Sequence, residues 1–284
     1  MDQPRISVVV PTFDRAGLLP RSLGSVLGQT LPPFEVVVAD DASSDDTERV
    51  VRELGSGLVR HVRLPERSGA QAARNLGIRE AQGDWIAFQD SDDEWLPDKL
   101  ERQVALIDGP WTVVHGGGIA GEKVMGMRLH GEEDALGVLL RRPATLFPAL
   151  LVSRQAFDRI GPLDEDLPAF QEWDTSIRLA RFCRFVMPDD PVFVYHATAG
   201  AISESSRADI RGYEQVIEKY RADIDDETWY AHIRFLVRRS LELGEWDEAR
   251  RLLRRGGGHD ARSWAYRLCA RLHVRPGRLT VLRP

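Results

Sequence analysis

The feature that most constrains the fold is a repeated alternation of apolar runs and helical stretches, which occupies more than the first third of the chain. Residues 6–10 and 34–39 are almost continuously apolar, as is typical of strands buried on both faces of a parallel sheet. Residues 59–64 alternate and predict a strand near the sheet edge, whereas residues 84–88 predict a fourth, buried strand. Helical patterns separate these strands, including an alanine-rich stretch at residues 69–81. This order predicts an α/β fold in which helices flank a mostly parallel sheet.

Acidic residues directly follow the second and the fourth predicted strands. Residues 40–47 read DDASSDDT, and residues 90–94 read DSDDE. Because the carboxyl ends of parallel strands meet at one edge of a sheet, we expect both stretches at that edge, where open α/β sheets bind ligands. Carboxylates so close together repel one another, and a divalent cation commonly makes such a cluster tolerable. We therefore interpret the acidic edge as a ligand site; the alternative is a pair of solvated turns.

Asp40 stands at the very end of the second predicted strand. A carboxylate there can accept the imide N–H of a uracil or thymine ring, or a ribose hydroxyl. The polar residues at 41–45 have an alternative role in turns and helix caps, and for Asp41 both roles stay open. Asp14, after the first strand, is expected to cap the following helix.

Composition and charge exclude several classes of protein. With 43% hydrophobic and 29% charged residues, a net charge of −6 and a pI near 5.7, the chain is an ordinary globular protein that does not suggest nucleic-acid binding. From residue 234 onward, however, 13 arginines stand against five acidic residues. The two cysteines, Cys183 and Cys269, lack metal-ligand spacing and indicate a reducing compartment. We find no signal peptide and no apolar run near the ~20 residues of a membrane span, so we expect a cytoplasmic protein without a transmembrane span.

Four motifs in a fixed order resemble family 2 glycosyltransferases of the GT-A fold. They are VVVPTFDR at residues 8–15, DDASSDDT at 40–47, ARNLGI at 73–78 and DSDD at 90–93. The resemblance extends over roughly residues 5 to 205. It implies a nucleotide-sugar donor, usually a UDP- or dTDP-sugar, and a divalent metal, Mn²⁺ or Mg²⁺. It also implies an inverting transfer of the sugar to the hydroxyl of an acceptor.

The resemblance also assigns roles to particular residues. Asp40 would meet the base, Asp90 would touch the ribose, and Arg74 would lie near the ribose and diphosphate, while Asn75 supports a loop. The nucleotide-binding set it implies is Pro11, Thr12, Phe13, Asp14, Asp40, Arg74, Asp90 and Ser91.

The metal and the donor sugar are assigned to the same acidic stretch. Asp92 would bind the metal that bridges the diphosphate, and Asp93 would help with the metal or the donor sugar. His196, after a predicted strand at residues 192–195, could complete the metal site with Asp92; the alternative is a hydrogen bond to the backbone.

A catalytic base is expected before the predicted helix at residues 175–182. The resemblance places it at Glu172, with Asp174 as the second candidate and Arg178 a few residues on. Asp174 has the alternative role of capping the helix. One base without a second protein nucleophile predicts inversion at the anomeric carbon.

The middle and the end of the chain carry weaker signals. GGGIAG at residues 116–121 formally fits a dinucleotide-binding pattern, but we interpret it as a flexible loop after a packed His115. Residues 125–142 could form a mobile lid over the donor. We predict a glycosyltransferase domain over 1–207, with nucleotide-binding and acceptor-binding halves at 1–108 and 109–207. An arginine-rich helical region follows at 208–284.

The sequence of the helical region is compatible with several kinds of binding partner. Its arginines could form a solvated face, contact anionic lipids at the inner face of a membrane, or dock a protein partner, and a homodimer is also possible. A non-catalytic nucleotide-sugar binder or scaffold that acts through this tail is the alternative function. The sequence leaves the donor sugar and the acceptor unidentified.

Overall fold

The computed structural model describes residues 3–55, 57–126, 129, 134–198, 206–256 and 261–276. The chain divides into two compact units. The first comprises Met1–Asp166 and Gln171–Ala199, and the second comprises Leu167–Phe170 and Gly200–Pro284. The predicted division at residues 207 and 208, and the two halves within 1–207, stay predictions.

The first unit contains eleven described strands in two sheets. They are β1 (Ile6–Thr12), β2 (Glu35–Asp40), β3 (Val59–Arg63), β4 (Trp85–Phe88), β5 (Glu94–Trp95), β6 (Thr112–Val114), β7 (Gly118–Ala120), β8 (Lys123–Met125), β9 (Leu151–Ser153), β10 (Arg184–Val186) and β11 (Phe193–Val194).

Seven described α-helices accompany these strands. They are α1 (Leu19–Leu27), α2 (Thr47–Leu54), α3 (Ala70–Glu80), α4 (Lys99–Val104), α5 (Ala135–Arg141), α6 (Arg154–Ile160) and α7 (Gln171–Ala180).

The larger sheet has seven strands in the order β10-β6-β9-β4-β1-β2-β3. Its strands run parallel except β9, which pairs antiparallel with β4 and β6. The predicted α/β class with a mostly parallel sheet is confirmed, as is the position of β3 at the edge. The chain crosses from β3 back over β1 to form β4, so the strand order reverses between β1 and β4. In open α/β sheets such a reversal opens a crevice at the carboxyl ends of the strands.

The centre of this sheet is packed without space for larger side chains. Val9 is fully buried and lies opposite Val37 on β2 and Phe88 on β4. Helix α3 lies close against β1 because it carries Gly77 there: a Cβ at Gly77 would come within 2.3 Å of a Val9 methyl group. This close contact sets the distance of α3, and therefore of Arg74 one turn earlier, from the sheet.

The smaller sheet, in the order β5-β11-β7-β8, corrects the expectation of a flexible loop at residues 116–121. Gly118 begins β7, which pairs parallel with β11 and antiparallel with β8. A Cβ at Gly116 would lie 2.7 Å from a Val192 methyl carbon, and one at Gly118 would lie 2.4 Å from the Phe193 ring. These glycines therefore serve close packing of strands. His115 is fully buried, as predicted.

Several predicted boundaries shift. The apolar and charged residues that follow the acidic loop, WLPDKL at 95–100, predict a helix from near Trp95, but Trp95 belongs to β5 and α4 begins only at Lys99. Asp14 does not cap α1, whose N-cap is Leu18 without a side-chain hydrogen bond. The predicted lid at residues 125–142 contains the end of β8 and all of α5, whereas residues 127, 128 and 130–133 lie outside the described residues.

The second unit is helical, as predicted. Its α-helices are α8 (Ser206–Lys219), α9 (Asp226–Leu243), α10 (Trp246–Gly256) and α11 (Ala261–Leu272). The Asp225 carboxylate caps α9 by accepting the N–H of Thr228, and Gly244 ends α9 in the left-handed conformation. None of the helices in the described ranges has the length and apolar character that crossing a bilayer requires.

Candidate active site

The loops after β1, β2 and β4 meet at the carboxyl edge of the larger sheet. β1 lies between β2 and β4, so its loop is adjacent to both acidic stretches. The backbone N–H of Asp14 donates to the Ser43 hydroxyl at 2.9 Å, which joins the first loop to the second. The Ser22 hydroxyl donates to the carbonyl of Asp90 at 3.0 Å, which joins α1 to the loop after β4.

Asp40 ends β2 and is fully buried. Its Oδ1 accepts the N–H of Ser43 at 2.8 Å, and its Oδ2 lies 3.1 Å from His61 Nε2 and 3.3 Å from Arg63. Burial by itself would raise the pKa of Asp40, but the hydrogen bonds from His61 and Ser43 outweigh it and lower the pKa. Asp40 is therefore a charge that the protein itself compensates.

Asp41 and Asp14 tie this edge together. Asp41 accepts the backbone N–H groups of Ser68 and Gly69 at 2.6 and 2.9 Å, so it holds the segment that enters α3. Asp14 adopts a left-handed φ of 47°, and its carboxylate accepts the N–H of Ser44 at 2.6 Å. For both residues the structure shows a role in joining loops.

The other predicted nucleotide-binding residues of the first loop differ in exposure. Pro11 and Thr12 are buried, and the Thr12 hydroxyl has no hydrogen-bond partner within the described residues. Phe13 is half-buried, with the Arg67 guanidinium 4.1 Å from the centre of its ring. The sequence assigned no role to Arg67.

Arg74 connects α3 to the loop after β4. Its guanidinium donates to Asp90 Oδ1 at 2.7 Å and to Gln71 at 2.8 Å, and it lies 4.3 Å from the centre of the Phe147 ring. Asn75, the next residue, bonds the backbone of Leu163 through both ends of its amide, as its predicted supporting role requires. The structure thus brings together Arg74 and Asp90, which the sequence assigned to one nucleotide.

The loop after β4 concentrates carboxylates that are incompletely compensated. Asp93 and Ser91 are buried, and Asp93 Oδ1 accepts the backbone N–H of His196 at 3.0 Å. Burial, followed by repulsion from Asp90, raises the pKa of Asp93 to about 8, and Asp92 adds to the shift. The loop after β4 therefore favours a positive ligand far more than the loop after β2.

Asp92 is in contact with two arginines, and the sequence predicted no role for either of them. The Arg15 guanidinium donates to its carboxylate, and Arg21 donates to its backbone carbonyl. Both belong to the segment after β1, 77 and 71 residues away in the chain. Arg15 ends the VVVPTFDR motif, which was the available signal, whereas its partner became evident only in the structure.

His196 bonds a different acidic residue from the one predicted. Its Nε2 lies 3.2 Å from Glu94 Oε2, whereas the Asp92 carboxylate is paired with Arg15. Within the part of the chain described, no three His, Cys, Asp or Glu side chains are arranged to hold a metal ion. The donor set nevertheless fits Mg²⁺ or Mn²⁺, since such ions are commonly held by one or two carboxylates together with substrate phosphates. Asp92 is a carboxylate of this kind, beside the buried acid Asp93.

The two candidate bases lie within α7 and not before it. The helix begins at Gln171, four residues earlier than predicted, so Asp174 is inside the first turn and does not cap the helix. Asp174 is fully buried and pairs with Arg178 at 3.1 Å, and Arg178 also donates to the carbonyls of Ile160 and Pro162. Glu172 is half-buried. The neighbouring Trp173 is buried and donates its indole N–H to the Leu139 carbonyl.

Known proteins share this sequence pattern and this fold. The chain is 36% identical over 107 residues to the UDP-Glc:alpha-D-GlcNAc-diphosphoundecaprenol beta-1,3-glucosyltransferase WfgD of Escherichia coli; the match covers 38% of this chain and 42% of WfgD. It is 28% identical over 247 residues to the succinoglycan biosynthesis protein ExoO of Rhizobium meliloti, which covers 78% of this chain and 70% of ExoO.

The fold is similar to that of a mannosyltransferase, PcManGT from Pyrobaculum calidifontis, solved in complex with GDP-Man and Mn²⁺. The TM-score is 0.62 at 21% identity, over 95% of this chain and 84% of that one, which shows a shared GT-A fold. The model of the family described as "Glycosyl transferase family 2" matches residues 7–154, just over half of the chain. This chain therefore belongs to glycosyl transferase family 2, a family of sugar-transferring enzymes.

Proposed function

We propose that this chain is a metal-dependent, inverting glycosyltransferase that moves a sugar from a nucleotide diphosphate to an acceptor hydroxyl. The observation that carries the proposal is the acidic loop after β4, at the reversal of strand order, with Arg15 and Arg74 paired to its carboxylates. A UDP- or dTDP-sugar is the proposed donor, and WfgD, whose name specifies UDP-Glc, supports this choice. WfgD and ExoO, by their names, also support a role in cell-envelope or extracellular glycan synthesis.

The nucleotide is proposed to bind across the loops after β1, β2 and β4. Asp40 has no exposed atoms while it is paired with His61 and Arg63, so a base would reach its carboxylate only by displacing one of them. The Thr12 hydroxyl offers an unused hydrogen-bonding group in the adjacent strand. Arg74 and Asp90, already paired, are proposed to hold the ribose and the inner phosphate.

Asp92 is proposed to hold the metal, next to the diphosphate. When bound, the metal would neutralise the negative charge that grows on the leaving diphosphate. Asp92 has to exchange its partner Arg15 for this role, and the released guanidinium is then available to a phosphate oxygen. Asp93 is proposed to face the donor sugar.

Glu172 is proposed as the base that takes the proton from the acceptor hydroxyl. Its half-buried position at the start of α7 leaves part of its side chain accessible. Asp174, the second candidate, is fully buried and paired with Arg178, which supports a structural role for it.

Calorimetric binding of a panel of nucleotide sugars, with Mn²⁺, Mg²⁺ or EDTA, tests the donor and metal part of the proposal. Wild-type protein is expected to bind one UDP- or dTDP-sugar in a metal-dependent manner. Asp92→Asn is expected to weaken this binding by about 100-fold, since a charged metal contact is lost. The matched control Asp158→Asn removes an exposed carboxylate of α6 and should leave binding unchanged. Metal-independent binding, or none to any donor, would contradict the proposal.

Hydrolysis of the bound donor in the absence of acceptor, together with transfer to lipid-linked or soluble acceptors, tests the base. Glu172→Gln should lower the rate constant of transfer by on the order of 10²- to 10⁴-fold, with donor affinity and unfolding free energy unchanged. Asp174→Asn should lower the unfolding free energy by about 3 kcal/mol, because it leaves the Arg178 charge without its buried partner. A loss of transfer rate in Asp174→Asn, with the rate of Glu172→Gln unchanged, would identify Asp174 as the base.

The alternative is a non-catalytic nucleotide-sugar binder that acts as a scaffold through its helical unit. Metal-dependent donor binding without hydrolysis or transfer to any acceptor would favour it.

A further inference from the structure

The last helix of the second unit, α11, has an apolar stripe that faces outward. Trp264, Leu268 and Leu272 stand four residues apart, so they lie along one side of the helix. Their exposed fractions are 64%, 49% and 60%, among the highest of the large apolar side chains described. Three such residues in a row on one helix form a patch of the kind that soluble monomers rarely leave uncovered.

The opposite side of α11 is packed, so the stripe does not result from a detached helix. Tyr266, Cys269 and Ala270 are buried within the second unit. The Arg250 guanidinium, from α10, donates to the carbonyl of Ala270 at 2.8 Å and so anchors the end of α11. One side of α11 therefore completes the core of the second unit, whereas the other side exposes apolar groups.

The sequence around the stripe is rich in positive charge. Residues 261–284 contain six arginines and no Asp or Glu. Arg267 lies 5.5 Å from the centre of the Trp264 ring. Arg271 and Arg275 are exposed and have no carboxylate partner among the residues that the structure describes. The exposed side of α11 therefore combines Trp and Leu with arginines.

The preceding helix, α10, differs in how its arginines are paired. On α10, Arg250 pairs with Asp247, and Arg251 pairs with Glu248 and Glu214. Arg255 pairs with Glu214 and Glu218. Most arginines of α10 are thus neutralised by acidic neighbours, whereas Arg271 and Arg275 have no carboxylate partner within the described ranges.

We propose that the outward side of α11 binds the surface of a membrane that contains anionic lipids. Trp264, Leu268 and Leu272 would enter the boundary between headgroups and acyl chains, where Trp is favoured. Arg271 and Arg275, which flank these residues, would contact the lipid phosphates. A lipid surface suits the stripe better than a protein groove because arginines border its apolar residues, as in helices that lie in a membrane interface.

Sedimentation of the chain of residues 1–284 with vesicles tests this proposal. Vesicles of phosphatidylcholine with phosphatidylglycerol should bind the protein, and vesicles of phosphatidylcholine alone should bind it at least about tenfold more weakly. Binding should decrease as salt concentration rises, because salt screens the arginines.

Two variants separate the contributions of charge and of apolar surface. Arg271→Glu with Arg275→Glu, and separately Leu268→Ser with Leu272→Ser, should each reduce partitioning to the anionic vesicles by at least about tenfold. The matched controls are Arg79→Glu and Val124→Ser, which make the same kinds of change at exposed positions of the first unit and should leave partitioning unchanged. Quenching of tryptophan fluorescence by a spin-labelled lipid should be observed in wild type and reduced in Trp264→Phe.

Circular dichroism and donor binding report whether each variant is folded, and they separate this proposal from the proposed catalytic function. Loss of vesicle binding with donor binding retained supports the membrane contact whether or not the chain transfers sugar. Equal binding to both kinds of vesicle, equal binding by the α11 variants and the controls, or a dimer that Leu268→Ser with Leu272→Ser dissociates would each overturn it.

Discussion

The two acidic loops of the larger sheet have almost the same composition and opposite electrostatics. After β2, Asp40 accepts hydrogen bonds from Ser43, His61 and Arg63, and these bonds lower its pKa in spite of full burial. After β4, Asp93 is equally buried but stands beside other carboxylates, so its pKa rises to about 8.

The difference teaches that the number of acidic residues does not by itself indicate a ligand site. What distinguishes the loops is the supply of partners from neighbouring elements. The loop after β2 receives them from β3, through His61 and Arg63. In the loop after β4, Arg15 and Arg74 pair with Asp92 and Asp90, and Asp93 accepts a backbone N–H. An incompletely compensated, buried cluster in a cleft is a candidate functional site, since bound cations and substrates can supply the missing charge.

The largest expected effect concerns the pH dependence of stability in EDTA. Asp93 holds a proton in the folded state up to about pH 8, whereas the unfolded chain releases it near pH 3.8. The folded state therefore binds more protons between these values, so its stability falls as pH rises, by at most about 1.4 kcal/mol per pH unit. Asp93→Asn, measured by urea denaturation from pH 5 to pH 8, should flatten this decline.

Asp40→Asn is the matched control for that experiment. The pKa of Asp40 is lowered below its usual 3.8, so its contribution is present above that value and is lost only in stronger acid. Between pH 5 and pH 8 the Asp40 carboxyl itself does not titrate, so Asp40→Asn should leave the decline that Asp93 causes in place. A flattened slope in Asp40→Asn and not in Asp93→Asn would reverse the comparison of the two loops.

Removal of the Asp41 carboxylate should have the next largest effect on the unfolding free energy. Asp41→Ala deprives the backbone N–H groups of Ser68 and Gly69 of their acceptor, which should cost about 2 kcal/mol of unfolding free energy. Asp158→Ala, at an exposed position of α6, should change it by less than about 0.5 kcal/mol. If chemical denaturation gave the same loss of unfolding free energy for both variants, Asp41 would not have the structural role that its hydrogen bonds indicate.

A smaller effect on the unfolding free energy is expected when the Arg15 side chain is replaced. The Arg15–Asp92 pair is about one-fifth exposed at each partner, so Arg15→Gln should lower metal-free stability by about 1 kcal/mol or less. The same change should strengthen the binding of Mn²⁺ alone by a few-fold, because the guanidinium no longer competes for Asp92. Calorimetric titration of Mn²⁺ measures this, and weaker binding in the variant would show that Arg15 does not occupy the place of the cation.

The smallest effect on stability is expected at His196. Its contact with Glu94 is partly exposed, so His196→Gln should change the unfolding free energy by less than about 0.5 kcal/mol. If His196 only positions Glu94, Mn²⁺ affinity should change by less than about threefold; a loss of tenfold or more would restore it as the metal ligand that the sequence predicted.

Local patterns predicted the first four strands and the alanine-rich helix α3 correctly. The apolar runs of β1, β2 and β4 and the edge position of β3 follow from hydrophobic periodicity, which depends on neighbouring residues only. The errors concern segments whose conformation depends on distant ones. β7 forms because Gly116 and Gly118 lie against Val192 and Phe193, more than 70 residues later, and a glycine run by itself does not reveal such a neighbour.

At the candidate site, the sequence by itself determined that acidic residues leave the ends of β2 and β4 and that Arg74 lies on the helix between them. The tertiary structure decided which of these charges are compensated. Arg15 reaches Asp92 across 77 residues, and His196 reaches Glu94 across 102. The pKa of a buried carboxylate depends on the groups packed around it, and strand order, which places β1 between the two loops, selects those groups.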